Sequence, residues 1–347
     1  MTISPPADAG PVPAVPLAPA SDLGPIPTPT PHWPGRRVTS GGVTLHVRET
    51  PGPDADAPTA VFVHGLGGSA TNWTELAAGL AGRMHGIALD LPGFGRSDPP
   101  AGDDYSVAAH ADAVLRFLAG RGERVHLLGN SLGGAVALTV AARRPELVRT
   151  LTLVSPAMPD LRPDPGRLGD PRMALALLPL VGARVRAELA GEEPRERLAR
   201  TMRLCYADPG QVSAATFDLA AGEAAERAAL PWAATALHRS FAGLVTTWLT
   251  PRSGSLWATA ARVPVPTLVV WGERDRLVSV RKARRTTRAI PAARLLRLPD
   301  VGHVAQMERP ALVARAVLGL VDAAAADTWS GPDTRPCAAG RVGPSRA

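Results

Sequence analysis

Short apolar runs alternate along the chain with longer segments in which apolar residues recur at helical spacing. The short runs predict buried strands, because a strand covered on both faces carries apolar side chains at nearly every position. Such runs occupy residues 59–63, 86–89, 124–128, 151–154, 267–271 and 294–298. Residues 43–49 alternate apolar and polar side chains, which predicts an edge strand.

The longer segments between these runs predict helices. Ser106 is a suitable N-cap for a helix whose apolar residues recur on one face, namely Val107, Ala111, Val114, Leu115 and Leu118. Residues 72–81, 135–142 and 312–320 are predicted to be helical as well. Strands separated by helices imply an α/β fold with a mostly parallel central sheet and helices on both faces.

This rhythm stops between residues 157 and 263. Here the sequence predicts no clear strand, and helix-like segments at 172–189, 196–205 and 213–228 are punctuated by proline and glycine. A helical insertion between two strands of a parallel sheet predicts a cap over a site, with a merely stabilising excursion as the alternative. The core domain is therefore assigned to residues 36–156 and 264–326, and the cap to residues 157–263.

The two ends of the chain predict disorder. Residues 1–35 are rich in proline, alanine and glycine, and proline cannot donate to a hydrogen-bonded ladder. Residues 327–347 form a polar tail that is also predicted to be disordered. No secretory signal is recognised and no apolar run reaches 18 residues, so we expect a cytoplasmic protein without a transmembrane helix.

Composition excludes some classes of site and partner. Cys205 and Cys337 are too few for a disulfide scaffold and their spacing does not suit a metal site. The formal net charge is +7, and Lys282 is the only lysine, so the arginine surplus resembles coding bias. The basic run 281–288 is interpreted as a solvated helix face, and we expect no nucleic-acid partner. Electrostatic association with nucleic acid or an anionic membrane is the competing hypothesis.

The strongest candidate for chemistry is the segment Gly129-Asn130-Ser131-Leu132-Gly133, which has the G-x-S-x-G spacing of a nucleophile elbow. It lies between a predicted strand and a predicted helix. A sharp strand-to-helix corner crowds the positions two before and two after the serine, and both are glycine here. The pattern predicts that Ser131 is a nucleophile, although a small-residue turn before a helix has the same local spacing.

A serine hydroxyl needs a nearby base, and the base needs a group that orients it. His303, in a loop after the last predicted strand, is the best candidate base. Asp275 follows the end of the strand at 267–271 and is the best candidate for the orienting carboxylate, with Glu273 and Asp300 as rivals. The chain order of serine, aspartate and histidine is the order described for α/β-hydrolases.

Five motifs together carry a resemblance to a known family. They are HGLGG at 64–68, DLPGFGRSD at 90–98, GNSLGG at 129–134, WGERD at 271–275 and VGHVAQMERP at 301–310. In order and spacing, the chain resembles a capped α/β-hydrolase from about residue 36 to 326. The resemblance implies that Ser131 is the nucleophile, His303 the base and Asp275 the acid. It further implies that the backbone N–H groups of Leu66 and Leu132 form an oxyanion hole, with no metal or organic cofactor.

The resemblance points to a serine hydrolase that acts on small-molecule carboxylic esters through an acyl-enzyme. The GNSLGG and GHVAQ segments are also similar to hydrolases that cut carbon–carbon bonds in ring-cleavage products, which is the second hypothesis. Acyl transfer to an alcohol would use the same residues. A non-catalytic small-molecule receptor on the same fold is the alternative from another functional class.

Overall fold

The computed structural model describes residues 14–160, 171–178 and 180–330. Within them the chain forms eight strands in one sheet. The strands are β1 (Gly35–Ser40), β2 (Val43–Thr50), β3 (Thr59–Val63), β4 (His85–Leu89), β5 (Val125–Asn130), β6 (Val148–Val154), β7 (Thr267–Gly272) and β8 (Ala293–Leu298).

The α-helices of the described residues fall into two groups. Six belong to the layers that flank the sheet, and they are α1 (Thr74–Leu80), α2 (Val107–Ala119), α3 (Leu132–Arg143), α10 (Arg281–Ala289), α11 (Ala305–Glu308) and α12 (Pro310–Ala325). The others follow β6 and precede β7, and they are α4 (Pro171–Leu175), α5 (Gly182–Ala190), α6 (Pro194–Cys205), α7 (Ala214–Ala228), α8 (Ala233–Leu249) and α9 (Leu256–Ala260).

The strand order is β1-β2-β4-β3-β5-β6-β7-β8. All pairs from β4 to β8 are parallel, whereas β2 runs antiparallel to both of its neighbours. This confirms the predicted mostly parallel sheet. Strand β1 was not predicted, because its sequence GRRVTS is largely exposed and lacks an apolar run.

Two apolar layers, one on each face of the sheet, hold the helices in place. In β3, Val61 and Val63 point into the layer formed with α2 and α3, while Ala60 and Phe62 point into the layer formed with α1 and α12. Side chains alternate between faces along a strand, so a fully buried strand serves both layers. Because the strands from β4 to β8 run parallel, their carboxyl ends lie at one edge of the sheet. The loops at this edge carry the candidate site residues.

The described part of the segment between β6 and β7 is helical, and we call residues 157–263 the helical insertion. Its described part differs from the sequence prediction in two ways. The predicted helix at 172–189 is divided into α4 and α5, with Leu180 at a φ of +48° between them. Helix α8 was not predicted, although it is the longest helix of the described insertion at 17 residues.

Residues 14–34 pack against the core, which differs from the disorder predicted for the N-terminal 35 residues. The Ala18 N–H donates to Arg315 O at 3.0 Å, and the Trp33 indole N–H donates to Thr74 O at 3.2 Å. Hydrogen bonds to helices α12 and α1 thus hold this segment in place of the strand pairing that its prolines prevent. Trp329 is likewise buried, although it belongs to the predicted C-terminal tail.

Some predicted features lie outside the described residues or concern the surface. Residues 1–13 and 331–347, including Cys337, are not among the described residues. The basic run forms α10, which exposes four arginines, namely Arg281, Arg284, Arg285 and Arg288. In the described part of the chain, no helix has the length and apolar character needed to cross a membrane.

Candidate active site

Ser131 lies at the corner between β5 and α3. Its backbone has φ 53° and ψ −116°, a strained conformation for a residue other than glycine. A Cβ at Gly129 would lie 2.3 Å from Gly133 O, and a Cβ at Gly133 would lie 2.2 Å from Val63 O. The two glycines therefore allow the close backbone approach that a sharp corner requires. Ser131 itself is partly exposed at the carboxyl edge of the sheet.

The glycine-rich turn after β3 contacts this corner. A Cβ at Gly65 would lie 3.2 Å from Ser131 Cβ and 3.2 Å from Asn130 Oδ1. Leu66 follows directly in this turn, and Leu132 is the first residue of α3, where a backbone N–H has no helical acceptor. Backbone N–H groups without a protein acceptor can stabilise negative charge that develops on a bound carbonyl oxygen.

The His64 side chain is hydrogen-bonded to the turn and to the loop after β4. Its Nδ1 lies 2.7 Å from Gly65 O, and its Nε2 accepts a hydrogen bond from the Leu91 N–H at 3.0 Å. Both contacts fit a neutral ring that carries its proton on Nδ1. Burial lowers the pKa of His64, and the positive charge of Arg227 adds to this effect. His64 is therefore a buried brace for this turn.

Asp275 and His303 meet above the sheet edge. His303 Nδ1 lies 2.9 Å from Asp275 Oδ2, and both side chains are buried. Asp275 Oδ1 accepts hydrogen bonds from the Leu277 and Val278 N–H groups, each at 2.9 Å. Burial on its own raises the pKa of Asp275, but His303 and these two N–H groups outweigh it and hold the pKa below its ordinary value. The carboxylate is therefore ionised at neutral pH and can orient the ring.

The two rival carboxylates point elsewhere. Glu273 pairs with Arg297 at 2.8 Å and Asp300 pairs with Arg274, and all four side chains are substantially exposed. Of the three candidate acids, only Asp275 is hydrogen-bonded to the His303 ring. The structure thus pairs Asp275 with His303, and pairs the two alternatives that the sequence left open with arginines.

Asn130 connects the serine corner to the histidine loop. Its side-chain amide donates to Val154 O at 3.0 Å and to His303 O at 3.2 Å. The residue before Ser131 therefore holds the backbone of His303. Ser131 and His303 are both described, and no hydrogen bond within 3.5 Å joins Ser131 Oγ to the His303 ring. Such a bond commonly tightens only when substrate binds.

The loop after β4 supports the site through a buried carboxylate that sequence reasoning did not single out. Asp90 accepts from the Ala70 N–H at 2.6 Å and the Arg96 N–H at 2.9 Å, and Asp90 Oδ2 lies 2.8 Å from His46 Nδ1. It thereby connects the loop after β4 to the segment that follows the glycine-rich turn. The aspartate was visible as the first residue of the DLPGFGRSD motif, but its partners are distant in sequence.

The helical insertion contacts the site from two directions. Leu237 Cδ1 of α8 lies 3.4 Å from the position that a Cβ would take at Gly67. On the other side, the Tyr206 hydroxyl donates to Met307 Sδ at 3.8 Å. The insertion therefore contacts the turn that carries Leu66 and helix α11, which follows the loop that carries His303. Among the described residues, no group of three or more histidine, cysteine, aspartate or glutamate side chains is arranged to hold a metal ion.

Comparison with known proteins identifies the family of this fold. The family model for the alpha/beta hydrolase fold matches residues 58–310. Lipase 3 of Moraxella sp. (strain TA144) is 28% identical over 250 residues, which cover 72% of this chain and 72% of the lipase.

Solved structures have a similar fold. The crystal structure of a membrane phospholipase A, described as a bacterial virulence factor, has a TM-score of 0.69 and 26% identity, covering 85% of this chain and 87% of that chain. The 2-hydroxy-6-oxo-6-phenylhexa-2,4-dienoate hydrolase from Rhodococcus sp. strain RHA1 has a TM-score of 0.67 and 23% identity, covering 83% and 98%. The similarity to the Rhodococcus hydrolase shows a shared fold only.

Proposed function

The chain belongs to the alpha/beta hydrolase fold family and is a hydrolase, and on that premise we propose that it cleaves carboxylic esters through Ser131, His303 and Asp275. The observation that carries the proposal is the buried 2.9 Å contact between His303 Nδ1 and Asp275 Oδ2. That contact fixes the tautomer in which His303 Nε2 is free to accept a proton. The strained corner at Ser131 supplies the nucleophile.

The proposed reaction has two stages. In the first, Ser131 Oγ attacks the ester carbonyl carbon while His303 Nε2 takes the hydroxyl proton, and the carbonyl oxygen becomes an oxyanion. The N–H groups of Leu66 and Leu132 stabilise that oxyanion. The tetrahedral intermediate then collapses, its bond to the alkoxy oxygen breaks, and His303 returns the proton to the departing alcohol.

In the second stage, water replaces the alcohol. His303 removes a proton from the water molecule, whose oxygen attacks the acyl carbon of the ester formed on Ser131. Collapse of the second intermediate releases the carboxylic acid and returns the proton to Ser131 Oγ. Asp275 stays ionised throughout and stabilises the charged form of His303. The helical insertion acts as a cap that shapes the substrate site.

The test is hydrolysis of p-nitrophenyl esters of increasing acyl length, together with labelling by a fluorophosphonate. We expect Ser131→Ala to lose turnover by several orders of magnitude and to lose labelling, because members of a triad act as a unit. Ser155 provides a matched control, since it also has a positive φ, 42°, directly after the neighbouring strand β6. Ser155→Ala should keep Ser131-dependent labelling.

Other outcomes would favour other functions. A folded wild-type protein that is labelled at Ser131 but hydrolyses no ester would favour the carbon–carbon bond hydrolase, which would then be assayed with a ring-cleavage product. A folded protein that neither turns over esters nor reacts with the probe would contradict the enzymatic proposal. Ligand binding without turnover would then support a receptor.

A further inference from the structure

The helical insertion is hydrogen-bonded directly to the backbone of the histidine loop. The His303 N–H donates to Cys205 O with an N···O distance of 2.6 Å. A Cβ at Gly302 would lie 2.3 Å from the same carbonyl oxygen, so the two chain segments are in backbone contact. Cys205 is the last residue of α6. The insertion therefore contributes a hydrogen-bond acceptor to the loop that carries the candidate base.

Glu308 joins the same two segments with its side chain. Its Oε1 accepts a hydrogen bond from the Gly302 N–H at 2.8 Å, and its Oε2 accepts one from the Ala207 N–H at 2.8 Å. One carboxylate thus bridges the residue before His303 and the segment that follows α6. Burial raises the pKa of Glu308, while the hydrogen bonds from the Ala207 and Gly302 N–H groups act to lower it. Two hydrogen bonds to one carboxyl group fix an orientation as well as a distance.

The loop that carries Asp275 is tied to the same part of the insertion. Arg276 Nη1 donates to Arg203 O at 2.7 Å. Residues 203–207 therefore contact the loops of both Asp275 and His303. Within the described residues, Glu308 is the only charged side chain among these contacts that accepts one hydrogen bond from the insertion and another from the histidine loop. It belongs to the VGHVAQMERP motif, in which the proposed chemistry uses only the histidine.

We propose that Glu308 is a positioning residue that clamps Gly302 and His303 against residues 205–207, so that the His303 ring stays aligned between Asp275 and Ser131. This role rests on the proposed ester hydrolysis. Glu308 contacts neither the ring nor Ser131, and it acts through the backbone on both sides of the clamp. Removing it leaves two N–H groups without their acceptor and frees the histidine loop to shift.

The test compares Glu308→Ala and Glu308→Gln with a control that also loosens the insertion. Glu223 of α7 pairs with Arg48 of β2 at 2.6 Å, so it ties the insertion to the core without touching residues 302–303. Glu223→Ala is therefore the matched control. The measurements are kcat and KM for a p-nitrophenyl ester, the rate of fluorophosphonate labelling at Ser131, and Tm.

For Glu308→Ala we expect kcat and the labelling rate to fall by about ten- to a hundredfold, because small misplacements of a catalytic group are costly. KM should stay within about threefold, since the substrate site is built by other residues. Glu308→Gln should fall between Glu308→Ala and wild type, because one amide oxygen can replace only one of the two acceptors. Glu223→Ala should lower Tm and keep its kcat within about twofold of wild type.

The positioning role is contradicted if Glu308→Ala and Glu223→Ala lose kcat equally, or if only KM changes. If Glu308→Ala does not fold, Glu308→Gln decides by the same criteria. If wild type shows Ser131-dependent turnover and labelling, and the Glu308 variants keep both, the positioning role alone is overturned. A wild-type protein with neither turnover nor labelling overturns the ester hydrolase, and the role of Glu308 falls with it.

Discussion

Asn130 donates a hydrogen bond from its side-chain amide to the backbone carbonyl of His303, with an N···O distance of 3.2 Å. The same amide donates to Val154 O at 3.0 Å. Val154 is 0% exposed and His303 is 3% exposed, so neither carbonyl has ready access to water as a substitute partner. The residue next to the proposed nucleophile in sequence therefore holds the backbone of the proposed base, which makes the corner at Ser131 and the histidine loop one structural unit.

Replacing Asn130 should impair both stability and catalysis. Asn130→Ala removes the amide donor from the buried His303 carbonyl, while Val154 O keeps the hydrogen bond from the Ser131 N–H. We expect a cost of about 1–3 kcal/mol in the free energy of unfolding. We expect kcat/KM to fall by about ten- to a hundredfold, because the histidine loop loses a contact that fixes its position. Urea unfolding and ester kinetics measure the two effects.

Thr139→Ala is a control for this variant. Thr139 also donates from its side chain to a backbone carbonyl, that of Ala135 at 2.8 Å, but within helix α3. We expect its kcat/KM to stay within about threefold of wild type. Equal losses in the two variants would contradict a specific link between Asn130 and His303.

Asp275→Asn should abolish most of the activity while keeping the fold. The amide oxygen can still accept from the Leu277 and Val278 N–H groups, but the amide nitrogen cannot accept from His303 Nδ1. His303 then favours the tautomer that leaves Nε2 protonated. We expect kcat to fall by about 10³–10⁴-fold, the scale seen when an orienting carboxylate is lost. Steady-state kinetics with a short-chain ester measures the loss.

Glu273→Gln and Asp300→Asn test the same assignment from the other side. Both carboxylates pair with exposed arginines, Arg297 and Arg274, and face away from the His303 ring. Each variant should keep kcat within about threefold of wild type, since exposed ion pairs contribute little. A large loss in either variant, with activity retained in Asp275→Asn, would reassign the acid.

Acid should destabilise the fold partly through Asp90. Burial on its own raises the pKa of Asp90, but the hydrogen bond to His46 and those from two backbone N–H groups hold it below its ordinary value of 3.8. A carboxyl group with a depressed folded pKa stabilises the fold above its unfolded pKa, and this contribution is lost as pH falls through the folded pKa. The affected window therefore lies below about pH 4.

The variant Asp90→Asn isolates this contribution. We expect it to unfold more readily than wild type at pH 7, and to show a shallower decline in the free energy of unfolding below about pH 4, because one titrating carboxyl group is gone. Urea unfolding at a series of pH values from 7 down to 3 measures both. An unchanged decline in acid would contradict the assignment to Asp90.

The sequence predicted those parts of the fold and site in which the physical requirement is local. Buried parallel strands such as β3 read as apolar runs because both faces are covered. The corner at Ser131 needs glycine two positions away on each side, and that need is visible within five residues. His303 and Asp275 were identified by their places after strand ends, and the structure brings them into contact.

Features that depend on distant partners could not be predicted. Strand β1 is exposed and is held by pairing with β2, which its own composition does not reveal. Residues 14–34 are ordered through backbone hydrogen bonds to helices that lie far along the chain. Glu308 contacts Ala207, 101 residues away, and no spacing rule connects them. Asp275 was separated from Glu273 and Asp300 only by the direction in which each side chain points.

A pair of glycine substitutions tests whether close backbone approach, and not helix propensity, determines the sequence of the elbow. In Gly133→Ala the new Cβ would lie 2.2 Å from Val63 O and 2.4 Å from His64 O, and backbone atoms cannot move aside cheaply. We expect a loss of about 1–3 kcal/mol in the free energy of unfolding, with reduced kcat because the glycine-rich turn after β3 is displaced. At Gly222, in helix α7, a Cβ would meet no atom within 4 Å. Gly222→Ala should therefore stabilise the protein by about 0.5–1 kcal/mol and keep wild-type kcat, so equal responses of the two variants would contradict the steric explanation.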